Sequence, residues 1–113
     1  MIFATAGKLL QKDSLVRSGK WNDRTNFMGT GLAQKTLGVI GVGSIGTETI
    51  DLSKPFFKNI LAYDPFKSEK QLSDIGAIKV DLIELACKSD FIVILCNLNN
   101  TTKGMIQNDF FLN

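Results

Sequence analysis

Blocks of apolar residues along the chain predict short strands that alternate with helices. Two of these blocks, Thr36–Ile40 and Asn59–Tyr63, have the composition of strands, and each precedes a segment with helical spacing. Residues 77–80 predict a brief third strand, and the unbroken apolar run at residues 91–95 is typical of a parallel strand covered on both faces. This alternation predicts a doubly wound α/β sheet.

The segment after the first strand predicts a helix with one apolar stripe. Its members recur at i, i+4, i+7 and i+11, and they are Ile45, Thr49, Leu52 and Phe56. Pro55 would remove a backbone donor near the end of this helix. We therefore expect the regular structure to end within residues 54–58.

Two later helices are predicted by their capping residues. Ser68 and Gln71 have the spacing of a capping box, and Gly76 can adopt the left-handed conformation after that helix. Asp81 can cap another helix that runs to about residue 88, with Glu84 at its third position.

Right-handed crossovers place the four strands in the order 3-2-1-4 of a Rossmann-type sheet. The later strands of that topology are missing, and residues 108–113 look like the start of a helix that is cut short, so we expect a truncated, partial dinucleotide-binding domain. Residues 1–35 would be a leading part, in which residues 2–16 predict one amphipathic helix and residues 18–35 a connecting segment. Residues 36–113 would hold the sheet.

Charge and cysteine content exclude several kinds of partner. Thirteen Lys and Arg residues oppose eleven Asp and Glu residues, and they are scattered, so we expect neither a nucleic-acid nor a membrane partner. No segment has the ~20 apolar residues of a membrane span, and no signal peptide is evident, which predicts a cytoplasmic protein. Cys87 and Cys96 lack CxxC spacing and the chain has no His, so we expect no metal site.

The strongest candidate for chemistry is the glycine turn at residues 41–46. Gly41 would permit a sharp turn, Gly43 would let the backbone approach a pyrophosphate, and Gly46 would let the helix pack against the strand. Ser44 and Ile45 open that helix, whose unpaired N–H groups and dipole attract phosphate. The turn lies between a predicted strand and a predicted helix, which makes the pattern far more specific.

Asp64 follows the second strand at about the spacing of the carboxylate that binds ribose hydroxyls. A carboxylate there favours NAD, because it repels the 2′-phosphate of NADP, although Lys67 could soften that preference. The alternative is a simple Asp-Pro turn. Tyr63 and Pro65 could flank the adenine, and core packing and turn geometry explain them equally well.

Several ordered segments resemble the D-isomer-specific 2-hydroxyacid dehydrogenases, phosphoglycerate-dehydrogenase-like members especially. The resemblance covers nearly the whole chain and is carried by residues 18–21, 28–32, 35–41, 61–65, 89–92 and 102–106. It implies an NAD-dependent oxidoreductase that transfers a hydride between NAD and a small D-2-hydroxy acid.

The resemblance also implies that Cys96, Asn97 and Thr102 lie beside the cofactor. This chain departs from the family pattern at three positions, where it has Leu95 for His, Asn97 for Pro and Asn99 for Thr. The backbone of residues 97–100 would still line the nicotinamide side.

No catalytic residue can be assigned in this chain. The family resemblance implies an Arg that holds the substrate carboxylate, a His that exchanges a proton and a Glu that orients the His. The chain contains no His, and the family segment with the Arg would follow residue 113. Cys87 and Cys96 have no activating base beside them. We therefore expect the isolated chain to bind NAD without catalysing turnover of a small-molecule substrate.

Two other functions remain compatible with the sequence. An NAD-sensing regulatory or corepressor-like protein would use the same fold, and an S-adenosylmethionine methyltransferase also has a glycine turn and an acidic residue after its second strand. The resemblance further implies a homodimer formed through the cofactor domain, in which the helix at residues 2–16 and Trp21 could take part. Intramolecular packing of that helix is the alternative.

Overall fold

The computed structural model describes residues 1–96 and Gly104. The chain divides into two compact units, Met1–Leu32 and Ala33–Asn113. The first unit contains helices α1 (Ile2–Ala6) and α2 (Leu9–Arg17), followed by a 3₁₀ helix (Trp21–Phe27). Within residues 1–96, no helix combines the length and apolar character that a membrane crossing requires.

The expectation of one continuous helix at residues 2–16 is wrong. Helix α1 ends at Ala6, and Lys8 adopts a left-handed conformation with φ of 54° before α2 begins. The Ala6 carbonyl, which a continuous helix would bond to the N–H four residues later, accepts instead from Thr30 N at 2.6 Å. Gly29 packs closely enough that a Cβ there would lie 2.7 Å from the Gly7 Cα. A distant backbone segment therefore interrupts the helix.

The second unit confirms the predicted sheet. Its strands are β1 (Thr36–Ile40), β2 (Asn59–Tyr63), β3 (Ile78–Lys79) and β4 (Phe91–Ile94), and they lie in the order β3-β2-β1-β4. All three pairings are parallel. The register sets Ile40 beside both Tyr63 and Ile94, so that β1, β2 and β4 end at the same edge.

Helices α3 (Ser44–Ser53), α4 (Glu69–Asp74) and α5 (Leu82–Lys88) connect these strands. The capping box of α4 is present, since Ser68 Oγ accepts from Gln71 N at 3.1 Å and Gln71 Oε1 accepts from Ser68 N at 2.8 Å. Asp81 Oδ1 accepts from Glu84 N at 2.7 Å and caps α5. These local signals therefore predicted the helices correctly.

The apolar stripe expected on α3 does not face the core. Ile45 and Leu52 are 69% and 65% exposed, whereas Gly46 and Ile50 form the buried side of the helix. The close contact of Gly46 with the glycine turn selects this side, and Ile50 follows one turn later on the same face.

The core lies against both faces of the sheet. Ile40 packs with Leu61, Val80 and Leu85 in one buried cluster, on the side of α5. Successive strand residues point to opposite faces, so Leu37 and Val39 face the other side, and both are fully buried. Burial on both faces is what a doubly wound parallel sheet requires.

Candidate functional site

The candidate site lies at the edge where the parallel strands end. Gly41 directly follows β1, Asp64 directly follows β2, and Cys96 lies two residues after β4. The Ile40 carbonyl accepts from Leu95 N at 2.7 Å, which holds the end of β4 beside β1. In open α/β sheets, ligands bind at this carboxyl edge of the strands.

Gly41 occupies a junction that admits no side chain. Its φ is 93°, a conformation that favours glycine, and its N–H donates to the Tyr63 carbonyl at 2.9 Å. A Cβ on Gly41 would lie 2.6 Å from the backbone nitrogen of Cys96. The sharp turn expected from the sequence is therefore fixed by both neighbouring strands.

Gly46 and Gly43 have different surroundings. Gly46 is buried, and a Cβ on it would meet the carbonyl oxygen of Gly41, so the helix packs directly against the turn. Gly43 is exposed, and a Cβ on it would meet no described atom within 4 Å. Packing therefore requires glycine at position 46, whereas Gly43 leaves open space above the turn.

The beginning of α3 faces this open space. Gly43 is the N-cap residue and has no side chain that could accept the N–H groups of the first turn. Ser44 and Ile45 are exposed at the start of the helix. Backbone N–H groups and the positive end of the helix dipole therefore form a surface suited to an anion.

Asp64 is tied to the glycine turn by its carboxylate. Oδ2 accepts from Val42 N at 2.9 Å, and Oδ1 accepts from Phe66 N at 2.9 Å. The second bond is a local turn of the kind expected for Asp-Pro, and the first reaches across 22 residues. Asp64 remains partly exposed, and a carboxylate has about four acceptor positions, so two remain for a ligand.

The other predicted residues beside Asp64 differ in burial. Tyr63 is half-buried and packs against the cluster around Ile40 and Leu61, as expected from the core-packing interpretation. Pro65 is exposed at the same edge. Phe66, which the sequence did not single out, is 85% exposed next to Asp64.

Cys96 is the one described member of the set expected from the fourth strand. Its thiol is free and partly buried, and its backbone lies directly against Gly41. Asn97 and Thr102 lie outside the described residues. Among the residues that the structure describes, no group of three or more His, Cys, Asp or Glu side chains could hold a metal ion.

Sequence reasoning missed the role of Val42. Its side chain and backbone are buried, with 1% of the residue exposed, and its N–H is bonded to Asp64. An apolar residue between two turn glycines was the available signal. Its partner could not be inferred, because the hydrogen bond depends on how β1 and β2 align.

The parallel sheet, the glycine turn and the acidic residue after β2 together define a dinucleotide-binding domain. The model of the D-isomer specific 2-hydroxyacid dehydrogenase NAD-binding domain matches residues 1–113, and the chain belongs to this family. NAD is the cofactor that this domain binds. The family decides against the methyltransferase alternative.

Similar proteins include named dehydrogenases and reductases. D-3-phosphoglycerate dehydrogenase of Archaeoglobus fulgidus is 41% identical over 106 residues, which are 94% of this chain and 20% of that protein. The apo structure of D-lactate dehydrogenase from Escherichia coli is 28% identical with a TM-score of 0.83, over 96% of this chain and 34% of the other. The pyruvate reductase of Chlamydomonas reinhardtii is 28% identical with a TM-score of 0.84, over 96% and 32%. The chain spans about a fifth of the length of the curated phosphoglycerate dehydrogenases that it matches.

Proposed function

We propose that this chain is the cofactor-binding portion of an oxidoreductase that transfers a hydride between NAD and a small D-2-hydroxy acid. The observation that carries this proposal is the glycine turn hydrogen-bonded to Asp64 at the carboxyl edge of the sheet. The reported relatives are named as dehydrogenases or reductases, which favours an enzyme over an NAD-sensing regulatory protein.

We assign each part of the cofactor to a group of residues at the carboxyl edge of the sheet. The pyrophosphate would lie over the open turn and the start of α3, the adenosine ribose hydroxyls would donate to Asp64, and the adenine would lie beside the half-buried Tyr63 and the exposed Pro65. The nicotinamide side lies past β4. The residues assigned to the pyrophosphate are Gly41, Gly43, Ser44, Ile45 and Gly46. Asp64 is assigned to the ribose, Tyr63 and Pro65 to the adenine, and Cys96, Asn97 and Thr102 to the nicotinamide side.

Asp64 makes NAD the preferred cofactor over NADP. Its carboxylate carries negative charge at the position of the ribose 2′ substituent, so a 2′-phosphate would be repelled, whereas a free hydroxyl can donate a hydrogen bond. Lys67 lies three residues away, and its N–H donates to the Asp64 carbonyl at 3.2 Å. Lys67 is partly buried, and we assign the choice of cofactor to the Asp64 carboxylate.

Binding and catalysis are separated in this proposal. The proton-transferring His of the family is absent from these 113 residues, since the chain contains no His. General acid–base catalysis needs a group within hydrogen-bond reach of the substrate hydroxyl. The 113-residue chain therefore binds NAD without oxidising a substrate.

The experiment combines a binding assay with an activity assay. NAD binding is measured by calorimetry, and NADH formation is followed with D-3-phosphoglycerate and with D-lactate as substrates. We expect binding of NAD and no NADH formation above that of the G41A variant, in which the added Cβ would overlap the Cys96 backbone. Substrate-dependent NADH formation by the wild-type chain would contradict the separation of binding from catalysis.

A homodimer through the cofactor domain is part of the same proposal. The first unit exposes large apolar side chains, with Leu10 80%, Trp21 57% and Met28 69% exposed, which supports a contact there. Light scattering after size-exclusion chromatography measures the mass. A mass of twice 12.4 kDa supports the dimer, and a mass of 12.4 kDa contradicts it.

A further inference from the structure

Asp64 is placed by two backbone groups before any ligand binds. Its Oδ1 accepts from Phe66 N and its Oδ2 accepts from Val42 N, both at 2.9 Å. The first bond orients the carboxylate within its own loop. The second joins that loop to the middle of the glycine turn.

The Val42 N–H depends on this carboxylate. Val42 is 1% exposed, so its backbone is shielded from water. A buried N–H without an acceptor costs free energy comparable to a lost hydrogen bond. Among the described residues, Asp64 Oδ2 is the acceptor that the structure provides.

Two consecutive N–H groups tie the turn to the end of β2. Gly41 N donates to the Tyr63 carbonyl at 2.9 Å, and Val42 N donates to the Asp64 side chain. The Val42 bond fixes the peptide plane between Gly41 and Val42. Gly43 and Ser44 follow directly in the chain, so their N–H groups extend from a peptide plane that Asp64 holds in place.

We propose that Asp64 positions the pyrophosphate-binding turn in addition to accepting hydrogen bonds from the ribose hydroxyls. This inference rests on the proposed NAD-binding function. One carboxylate then sets both cofactor choice and the shape of the turn. Removal of Asp64 weakens NAD binding without creating tight NADP binding, because the same turn receives the pyrophosphate of both cofactors.

Asp90 offers a matched control at the opposite end of β1, where it directly precedes β4. Its Oδ2 accepts from Thr36 N at 2.9 Å, so it tethers the start of β1 as Asp64 tethers the turn after β1. Each bond joins a carboxylate beside one strand to a backbone N–H at the end of the neighbouring strand. The D90A variant therefore loosens β1 without touching the turn.

The first measurement is amide hydrogen exchange by NMR in the ligand-free, full 113-residue chain. In D64A, Val42 exchange is expected to be about tenfold faster than in wild type. The D64N variant retains one acceptor oxygen and should give an intermediate rate. D90A should accelerate Thr36 and leave Val42 unchanged. Equal Val42 exchange in D64A and wild type would overturn the proposal.

The second measurement uses inorganic pyrophosphate, which has no ribose hydroxyls that could bind Asp64. Removing a negative charge should by itself strengthen anion binding. Loss of the turn geometry should weaken it instead. We expect pyrophosphate-induced shifts at Gly43 and Ser44 to need a several-fold higher concentration in D64A than in wild type or D90A. Unchanged or tighter binding in D64A would overturn the positioning role.

The two measurements separate this inference from the proposed function. If wild type binds neither NAD nor pyrophosphate, the proposed function fails, and with it the cofactor role of the turn. If wild type binds both and D64A loses NAD alone while Val42 exchange stays slow, Asp64 only reads the ribose and the positioning role is wrong.

Discussion

Gly46 lies directly against the carbonyl oxygen of Gly41, so that a Cβ atom on Gly46 would overlap that oxygen. The obstacle belongs to the backbone and cannot rotate away. The G46A variant should therefore lose about 1–3 kcal/mol of unfolding free energy, the usual cost of overpacking a close contact. Urea denaturation monitored by circular dichroism measures this loss.

The control for that prediction is G31A. A Cβ on Gly31 would meet no described atom within 4 Å, and the backbone there needs no positive φ. We expect its unfolding free energy to stay within about 0.5 kcal/mol of wild type. Equal stability of G46A and G31A would show that the helix does not pack against the turn as described.

The middle glycine of the turn should behave in the opposite way. A Cβ on Gly43 enters open space, and its φ of −91° suits any residue, so G43A should keep its stability within about 0.5 kcal/mol. The same methyl group occupies the space assigned to the pyrophosphate. Calorimetry should therefore show NAD affinity lowered about tenfold or more, a change of about 1.4 kcal/mol. Wild-type affinity in G43A would place the pyrophosphate elsewhere.

Ser89 predicts a stabilising substitution. Its Oγ is buried, and within the part of the chain that the structure describes it has no hydrogen-bond partner. It lies where a side chain on Gly38 would point, beside Leu85. Since an unpaired buried hydroxyl costs about 1–3 kcal/mol, S89A should raise the unfolding free energy by about 1 kcal/mol.

Ser18 provides the matched comparison for Ser89. Both residues follow the last turn of a helix, but Ser18 Oγ donates to the Leu15 carbonyl at 3.0 Å. S18A should therefore lose about 0.5–1.5 kcal/mol, whereas S89A gains stability. Loss of stability in both variants would mean that Ser89 has a partner after all.

The elements predicted correctly depend on local signals. The run Thr36–Ile40 forms the first strand with the expected bounds, and the capping box of Ser68 and Gln71 begins the expected helix. The turn glycines and Asp64 lie together at one edge of the sheet, as their spacing around a strand, a turn and a helix predicts, and their role in binding NAD stays a prediction.

The features missed depend on contacts between distant residues. The break between α1 and α2 arises where Thr30 N bonds the Ala6 carbonyl, 24 residues away in sequence. The buried side of α3 is selected by the contact of Gly46 with Gly41, so its apolar residues gave the wrong face. The bond between Asp64 and Val42 likewise requires the register of β1 and β2. No periodicity encodes these contacts.

The measurement that tests the central claim most directly is calorimetric titration of the 113-residue chain with NAD, with NADP as the competitor. The dinucleotide site built on Gly41, Gly43 and Asp64 predicts saturable 1:1 binding of NAD, clearly tighter than binding of NADP. Absence of NAD binding by the folded chain, or tighter binding of NADP, would contradict the account.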